Sequence, residues 1–251
     1  MTVRAILRPA AATVLASTNV TSAANVLSAE PKQVAIAGVA AATQSVIVID
    51  LGTIQQIDTL FIGYSRGNDD GLACLYSQVY GNVDGAFAAD LAPLPSAVAG
   101  ARKHRLVQLA EPVSLRYITL LKTLSSPLEI GVVAAGLAFR PQWGAELGGG
   151  VGLIDTSGVT RRRDGGFGID PGVVAAQLQW TFSDLSAAEV AQLYALLSTI
   201  GTSRPAIVIE GDDDGPATTE EVHYGIFTRL EPYERLQPGL TRWGLRFEAW
   251  E

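Results

Sequence analysis

The order of apolar and polar positions divides this chain into two regions with different periods. In the first, Ser45-Val46-Ile47-Val48-Ile49-Asp50-Leu51-Gly52 is a β-branched run closed by a glycine turn. Ile57-Asp58-Thr59-Leu60-Phe61-Ile62-Gly63 is a second such run, and both predict strands. Further strands are expected over Leu75–Tyr80, Arg105–Leu109, Tyr117–Leu121 and Val132–Phe139, with no helical period between them. Short strands separated by turn residues predict a sandwich or barrel.

The second region mixes two periods. Gly165-Gly166-Phe167-Gly168-Ile169-Asp170 opens a strand region, and Ala176–Phe182 alternates Leu178, Trp180 and Phe182 with Gln177, Gln179 and Thr181. Period two marks a half-buried strand. Ser186-Ala187-Ala188-Glu189 is a capping-box pattern, followed by Val190, Leu193, Leu197 and Ile200 at helical spacing and by Gly201 as the stop. Strands are expected again over Pro205–Glu210, Val222–Leu230 and Arg242–Trp250. One helix among strands needs a sheet face to cover.

Pro141-Gln142-Trp143-Gly144 and the run Gly148-Gly149-Gly150-Val151-Gly152 separate the regions. The expected architecture is mainly β. Residues 1–143 form a jelly-roll β-sandwich, 144–152 a glycine-rich linker, and 153–251 a smaller β-sandwich flanked by one α-helix at 187–200.

Composition narrows the function. The 251 residues are 48% hydrophobic and 17% charged, enough apolar material for substantial cores. The net charge of −7 opposes the counterion release that drives tight nucleic-acid binding, and Arg102-Lys103-His104-Arg105 and Arg161-Arg162-Arg163 are short basic runs. Cys74 is the single cysteine, which favours a reducing compartment. No apolar run approaches the roughly 20 residues of a membrane span. Arg4, Arg8 and Ala10–Ala16 outline a poor signal-peptide pattern, interrupted by Thr13.

Candidate chemistry is sparse. Gly63-Tyr64-Ser65-Arg66-Gly67 matches G-x-S-x-G, but the turn-forming Asn68-Asp69-Asp70-Gly71 follows where a nucleophile elbow requires a helix. Asp69 and Asp70 are weak candidates for a calcium site, and Asp212-Asp213-Asp214-Gly215 weaker ones, since neither run has the spacing of an EF-hand. His104 reads as a solvated loop residue and His223 as a structural strand residue. One cysteine and two separated histidines make no transition-metal set. No catalytic residue and no cofactor is expected, and the chain reads as a non-enzyme. Trp143, Trp180, Trp243 and Trp250 read as core or subunit-interface residues rather than sugar platforms.

Two resemblances give these patterns a direction. Asn25 with Leu27-Ser28, then Ile49-Asp50-Leu51-Gly52 with Ile57–Ile62, Leu115-Arg116-Tyr117-Ile118-Thr119-Leu120 and Glu129-Ile130-Gly131 through Gly136-Leu137, resemble discoidin domains over about residues 17–140. The cysteine pair of extracellular members is absent. The second region, with its single helix and the segments Tyr224–Pro232 and Trp243–Trp250, resembles the tail-tube fold of phage tail-tube and distal tail proteins. Together the resemblances imply a structural protein of a phage tail tip or baseplate, assembled in the host cytoplasm and carried in the virion. They imply a hexameric ring joining the tail tube to hub and tip proteins and letting DNA pass. Ring contacts are expected on the edge strands of residues 160–182 and 205–250. Arg161, Arg162 and Arg163 are expected to face Asp212, Asp213 and Asp214 of a neighbour, with Trp243 and Trp250 as further interface candidates. The alternative is a carbohydrate- or host-receptor-binding module on a virion or secreted enzyme. Its ligand loops would be Asn25–Gln33, Arg66–Gly71 and Asn82–Ala86, with weak glycan contact.

Overall fold

The computed structural model describes residues 3–38, 44–67, 72–80, 87–90, 103–123, 127–146, 149–211, 221–237 and 239–250. These are mainly β, with one α-helix at Ala187–Ile200, as the alternation predicts. The chain forms two compact units, but not the contiguous pair expected. One is built on Leu7–Ala138; the other joins Met1–Ile6 to Phe139–Asp214 and His223–Glu251. The cause lies in the first strand. Val3–Leu7 is buried at four of its five positions and lies in the second unit's sheet, between Ala138–Phe139 and Ala206–Glu210. A division at residue 143 would have exposed it.

In the jelly-roll unit, the long strand Ser45–Gly67 is the organising element. Its first part pairs with Thr13–Thr18 and with the C-terminal part of Lys103–Lys122, setting Ile47 opposite Leu120 and Ile49 opposite Ile118. Burial alternates through Ser45–Leu51, so Ile47, Ile49 and Leu51 point into the core with Val26, Ile118 and Leu128. The ladder breaks between Asp50 and Gln55. There Asp50 Oδ1 accepts a hydrogen bond from Gly52 N at 2.8 Å, and Gly52 turns with a φ of 77°. Beyond the turn, Ile57–Ser65 is buried at every position, so this part of the strand is covered on both faces. Buried Asp58 is satisfied there, its Oδ1 accepting from Thr59 Oγ1 at 2.8 Å and Ala138 N at 2.9 Å.

Two expectations in this unit resolve differently. Cys74 is fully buried, and desolvation pushes its thiol well above the usual range, so it packs as a small hydrophobe. His104 is not a solvated loop residue. It lies in the strand Lys103–Lys122, against the rings of Phe61 and Tyr64, and its Nδ1 is 3.3 Å from Tyr64 N.

The second unit's sheet runs Ala138–Phe139, Val3–Leu7, Ala206–Glu210, Val222–Leu230, Leu240–Ala249, Val174–Leu185 and Gly150–Asp155, with Glu234–Gln237 also pairing Leu240–Ala249. Trp180 pairs with Leu245 and Phe182 with Trp243, and these rings meet Phe227 and Phe247 in the core. Trp243 is therefore already covered within the chain, its Nε1 donating to Glu231 O at 2.8 Å; as an interface candidate it is superseded. The helix covers this core with Leu193, Leu197 and Ile200. His223 lies in the strand Val222–Leu230, with Nε2 3.1 Å from Glu210 Oε2.

The glycine run also differs from the expectation. Gly150–Gly152 begins the strand Gly150–Asp155 instead of forming a linker, pairing with Gln179, Leu178 and Gln177. Bare glycines let it run along a neighbour without side-chain collision, and the sheet stops at this strand.

Candidate functional site

Two surfaces differ from an ordinary polar exterior, one on each unit. The first continues from the edge strand Gly150–Asp155. Gly158–Arg161 and Phe167–Asp170 pair as a separate two-stranded ribbon, setting Val159 opposite Ile169 and Arg161 opposite Phe167. Alternation along a strand places these four side chains on one face. Beside Arg161, that face carries three bare apolar side chains: Val159 is 64%, Ile169 69% and Phe167 58% exposed. Of the sixteen large apolar side chains exposed among the described residues, seven lie between Val151 and Val174. These seven are concentrated in one stretch of the chain instead of being scattered singly over it.

The ribbon's own physics bears on this exposure. An isolated two-stranded hairpin is marginal in water because neither face is packed. The turn is held locally, with Arg162 N bonded to Gly166 O at 2.8 Å and Gly166 N to Asp164 Oδ1 at 3.0 Å. The Arg161 guanidinium lies 5.6 Å from the Phe167 ring centre. Arg161, Arg162 and Arg163 thus form an exposed cationic end to an apolar ribbon. The edge strand beside it carries no lysine or proline, the usual guards against strand pairing. A cavity of about 550 Å³ runs along this edge, lined by Gly150, Gly152, Gln177, Gln179, Glu146 and Arg242.

The second surface is at one end of the jelly roll. Tyr117 pairs with Asp50 on one side and Ser77 on the other. Arg116 forms a two-bond pair with Asp50, Nε to Oδ1 at 2.9 Å and Nη2 to Oδ2 at 3.0 Å, and its guanidinium carbon lies 5.0 Å from the Tyr117 ring centre. The Arg116 hydrogen bond, reinforced by Gly52 N, holds the Asp50 carboxyl below the usual carboxylate range. Tyr80, 53% exposed, lies with its ring centre 5.7 Å from that of Tyr117. Exposed Val79 and Ile54 belong to the turns at this end. Gln78 Nε2 donates to Ser114 O and Gln56 Nε2 to Ser114 Oγ, fixing the surrounding amides.

The structure redistributes the residues singled out in the sequence. Arg161, Arg162 and Arg163 are together at the ribbon turn, whereas Asp212, Asp213 and Asp214 lie outside the described residues, as do Asp69, Asp70 and the loop 82–86. Trp250 is half-buried beside Tyr224, and Trp143 is exposed. In the loop Asn25–Gln33, Asn25 Nδ2 donates to Val34 O and Ser28 Oγ bonds Gln33 Oε1, so these polar groups serve the loop itself. Ser65 is buried inside a strand rather than presented at a strand-to-helix turn. Among the described residues no cluster of three or more His, Cys, Asp or Glu could hold a metal, and no helix is long and apolar enough to cross a membrane. The Asp50–Arg116–Tyr117–Tyr80 cluster was not found from sequence. Its residues come from three separate strands and turns, and only pairing register joins them.

No protein-family model and no curated protein matches the chain. Among solved structures, the chain is similar to CpGH89CBM32-6 produced by Clostridium perfringens, at 15% identity and a TM-score of 0.36 over 50% of this chain and 90% of that one. It is similar to CBM32-1 from a family 31 glycoside hydrolase from Clostridium perfringens, at 14% identity and a TM-score of 0.34 over 50% and 89%. It is also similar to an f-lectin (fucolectin) from striped bass (Morone saxatilis) serum, at 10% identity and a TM-score of 0.33 over 95% and 90%.

Proposed function

We propose that this chain is a non-catalytic assembly protein whose second unit docks on further copies of itself, and that the assembly is the ring of a phage tail tip. The observation carrying this reading is the ribbon Gly158–Asp170, apolar on one face, cationic at its turn and adjoining an unguarded sheet edge. Burying Val159, Phe167 and Ile169 against a neighbour would each contribute about 1.5–3 kcal/mol. A second copy suits the site because the chain is acidic overall, with a net charge of −7, while the ribbon turn carries three arginines. An acidic conduit also lets DNA pass without retaining it. The tail-tube resemblance supplies the copy number of six and the tube and hub proteins as neighbours.

Native mass spectrometry and sedimentation at tens of micromolar test this. The expected result is a discrete oligomer that dissociates to monomer in the double variant Val159→Asp/Ile169→Asp. A wild-type chain that stays monomeric, or a variant that assembles unchanged, overturns the reading.

A second reading is favoured by the exposed Tyr80 beside Tyr117: the jelly-roll unit contacts a carbohydrate or host receptor. The two roles are compatible, since they use different units. A glycan array probed with the wild-type chain, with no glycan retained, removes the carbohydrate role without touching the first.

A further inference from the structure

We infer that the Tyr80–Arg116 surface is a saccharide site selective for neutral pyranoses, with Tyr80 as the stacking platform and Arg116 as the hydrogen-bond donor. This rests on the carbohydrate reading and fixes its location and ligand class. The site lies away from Arg66 and Gly67, which open one of the loops expected from sequence. Arg66 and Gly67 pair with Glu129 and Leu128, whereas Asp50, Tyr117 and Ser77 meet in one row near the turns at Gly52 and Tyr80.

The geometry supplies the two elements a pyranose needs. A sugar has an apolar C–H face and a rim of hydroxyls. Tyr80 presents a half-exposed ring for the face, supported from beside by Tyr117 instead of being folded into the core. For the rim, Arg116 is 38% exposed at its side chain. Its Nε and Nη2 are committed to Asp50, and among the described residues its Nη1 has no protein partner. The two-bond grip of Asp50 and the Tyr117 ring hold the guanidinium in place, so little side-chain freedom is lost on binding.

The same pair sets the ligand's charge. Asp50 already neutralises Arg116, its carboxylate bonded to Nε and Nη2 of the same guanidinium whose Nη1 is left for a ligand. An acidic sugar would bring a second carboxylate to a guanidinium that Asp50 already neutralises. A neutral sugar accepts the Nη1 hydrogen bond without that second charge.

Saturation-transfer NMR on the full chain with methyl glycosides of glucose, galactose, mannose, fucose, N-acetylglucosamine and glucuronic acid tests the assignment. Expected is transfer to at least one neutral glycoside, Kd raised about tenfold by Tyr80→Ala and little changed by Tyr80→Phe, which keeps the ring. Circular dichroism of both variants should match the wild type, since Tyr80 is on the surface. No transfer to any glycoside overturns the site and the carbohydrate reading together. Binding that survives Tyr80→Ala, or that selects glucuronic acid, overturns this site alone and leaves the broader reading standing.

Discussion

Ser186 and Glu189 cap each other at the start of the helix: Ser186 Oγ accepts from Glu189 N at 3.3 Å, and Glu189 Oε2 accepts from Ser186 N at 2.8 Å. Glu189 Oε1 also accepts from Gln142 N at 2.7 Å, so one carboxylate ties the helix start to the chain entering this unit. Ser186→Ala should lower stability by about 1 kcal/mol, read as a shifted denaturant midpoint with unchanged slope.

The same carboxylate gives a pH dependence. Burial alone would raise the Glu189 pKa, but the hydrogen bonds from Gln142 and Ser186 outweigh it and hold the group below its ordinary 4.5. A folded pKa below the unfolded one gives stability that is present above about pH 4.5 and is lost as pH falls through the folded value. Melting temperatures of wild type and Glu189→Gln should therefore differ most above pH 5 and converge towards pH 3. A constant difference would assign the effect to packing instead.

Cys74 should be inert. Buried and held protonated, its thiol should not react with a neutral disulfide reagent in the folded chain and should titrate one equivalent after denaturation. Rapid labelling of the folded protein would contradict the burial.

Gly225 lies opposite Ala249 where the strands Val222–Leu230 and Leu240–Ala249 pair. A Cβ there would fall on the carbonyl oxygen of Glu248 across the ladder. Gly225→Ala should cost about 1–3 kcal/mol by overpacking, with a matching fall in the thermal midpoint. Gly150→Ala meets nothing within 4 Å and should leave that midpoint nearly unchanged, which makes it the control.

Much of this architecture was legible in the pattern of side chains. The alternation of Leu178, Trp180 and Phe182 marks a core-facing strand, and the capping box at Ser186 locates the helix start to the residue. Both are local signals, written within a few positions. What escaped was non-local. Val3–Leu7 reads as the start of the first region, and only its pairing with Ala206–Glu210 assigns it to the second unit. The ribbon was half legible: the Gly165-Gly166 turn and Ile169 were visible, but not the absence of anything packed on Val159. Asp50 and Arg116 are 66 positions apart, so their two-bond pair follows from strand register alone. His104 was misread because its basic neighbours outweighed the aromatic pair it packs against.

The placement of that first strand has a consequence for biosynthesis. On the ribosome, Val3–Leu7 emerges roughly 200 residues ahead of its neighbour Ala206–Glu210, about 10–40 seconds at ordinary elongation rates. Its other neighbour, Ala138–Phe139, comes sooner, but the side that pairs with Ala206–Glu210 stays open throughout that interval. The segment 7–138, by contrast, is complete early and can fold behind it. A poised chaperone would therefore protect the nascent chain, whereas slower elongation would lengthen the exposure and a premature stop before residue 206 would leave that side of Val3–Leu7 open for good.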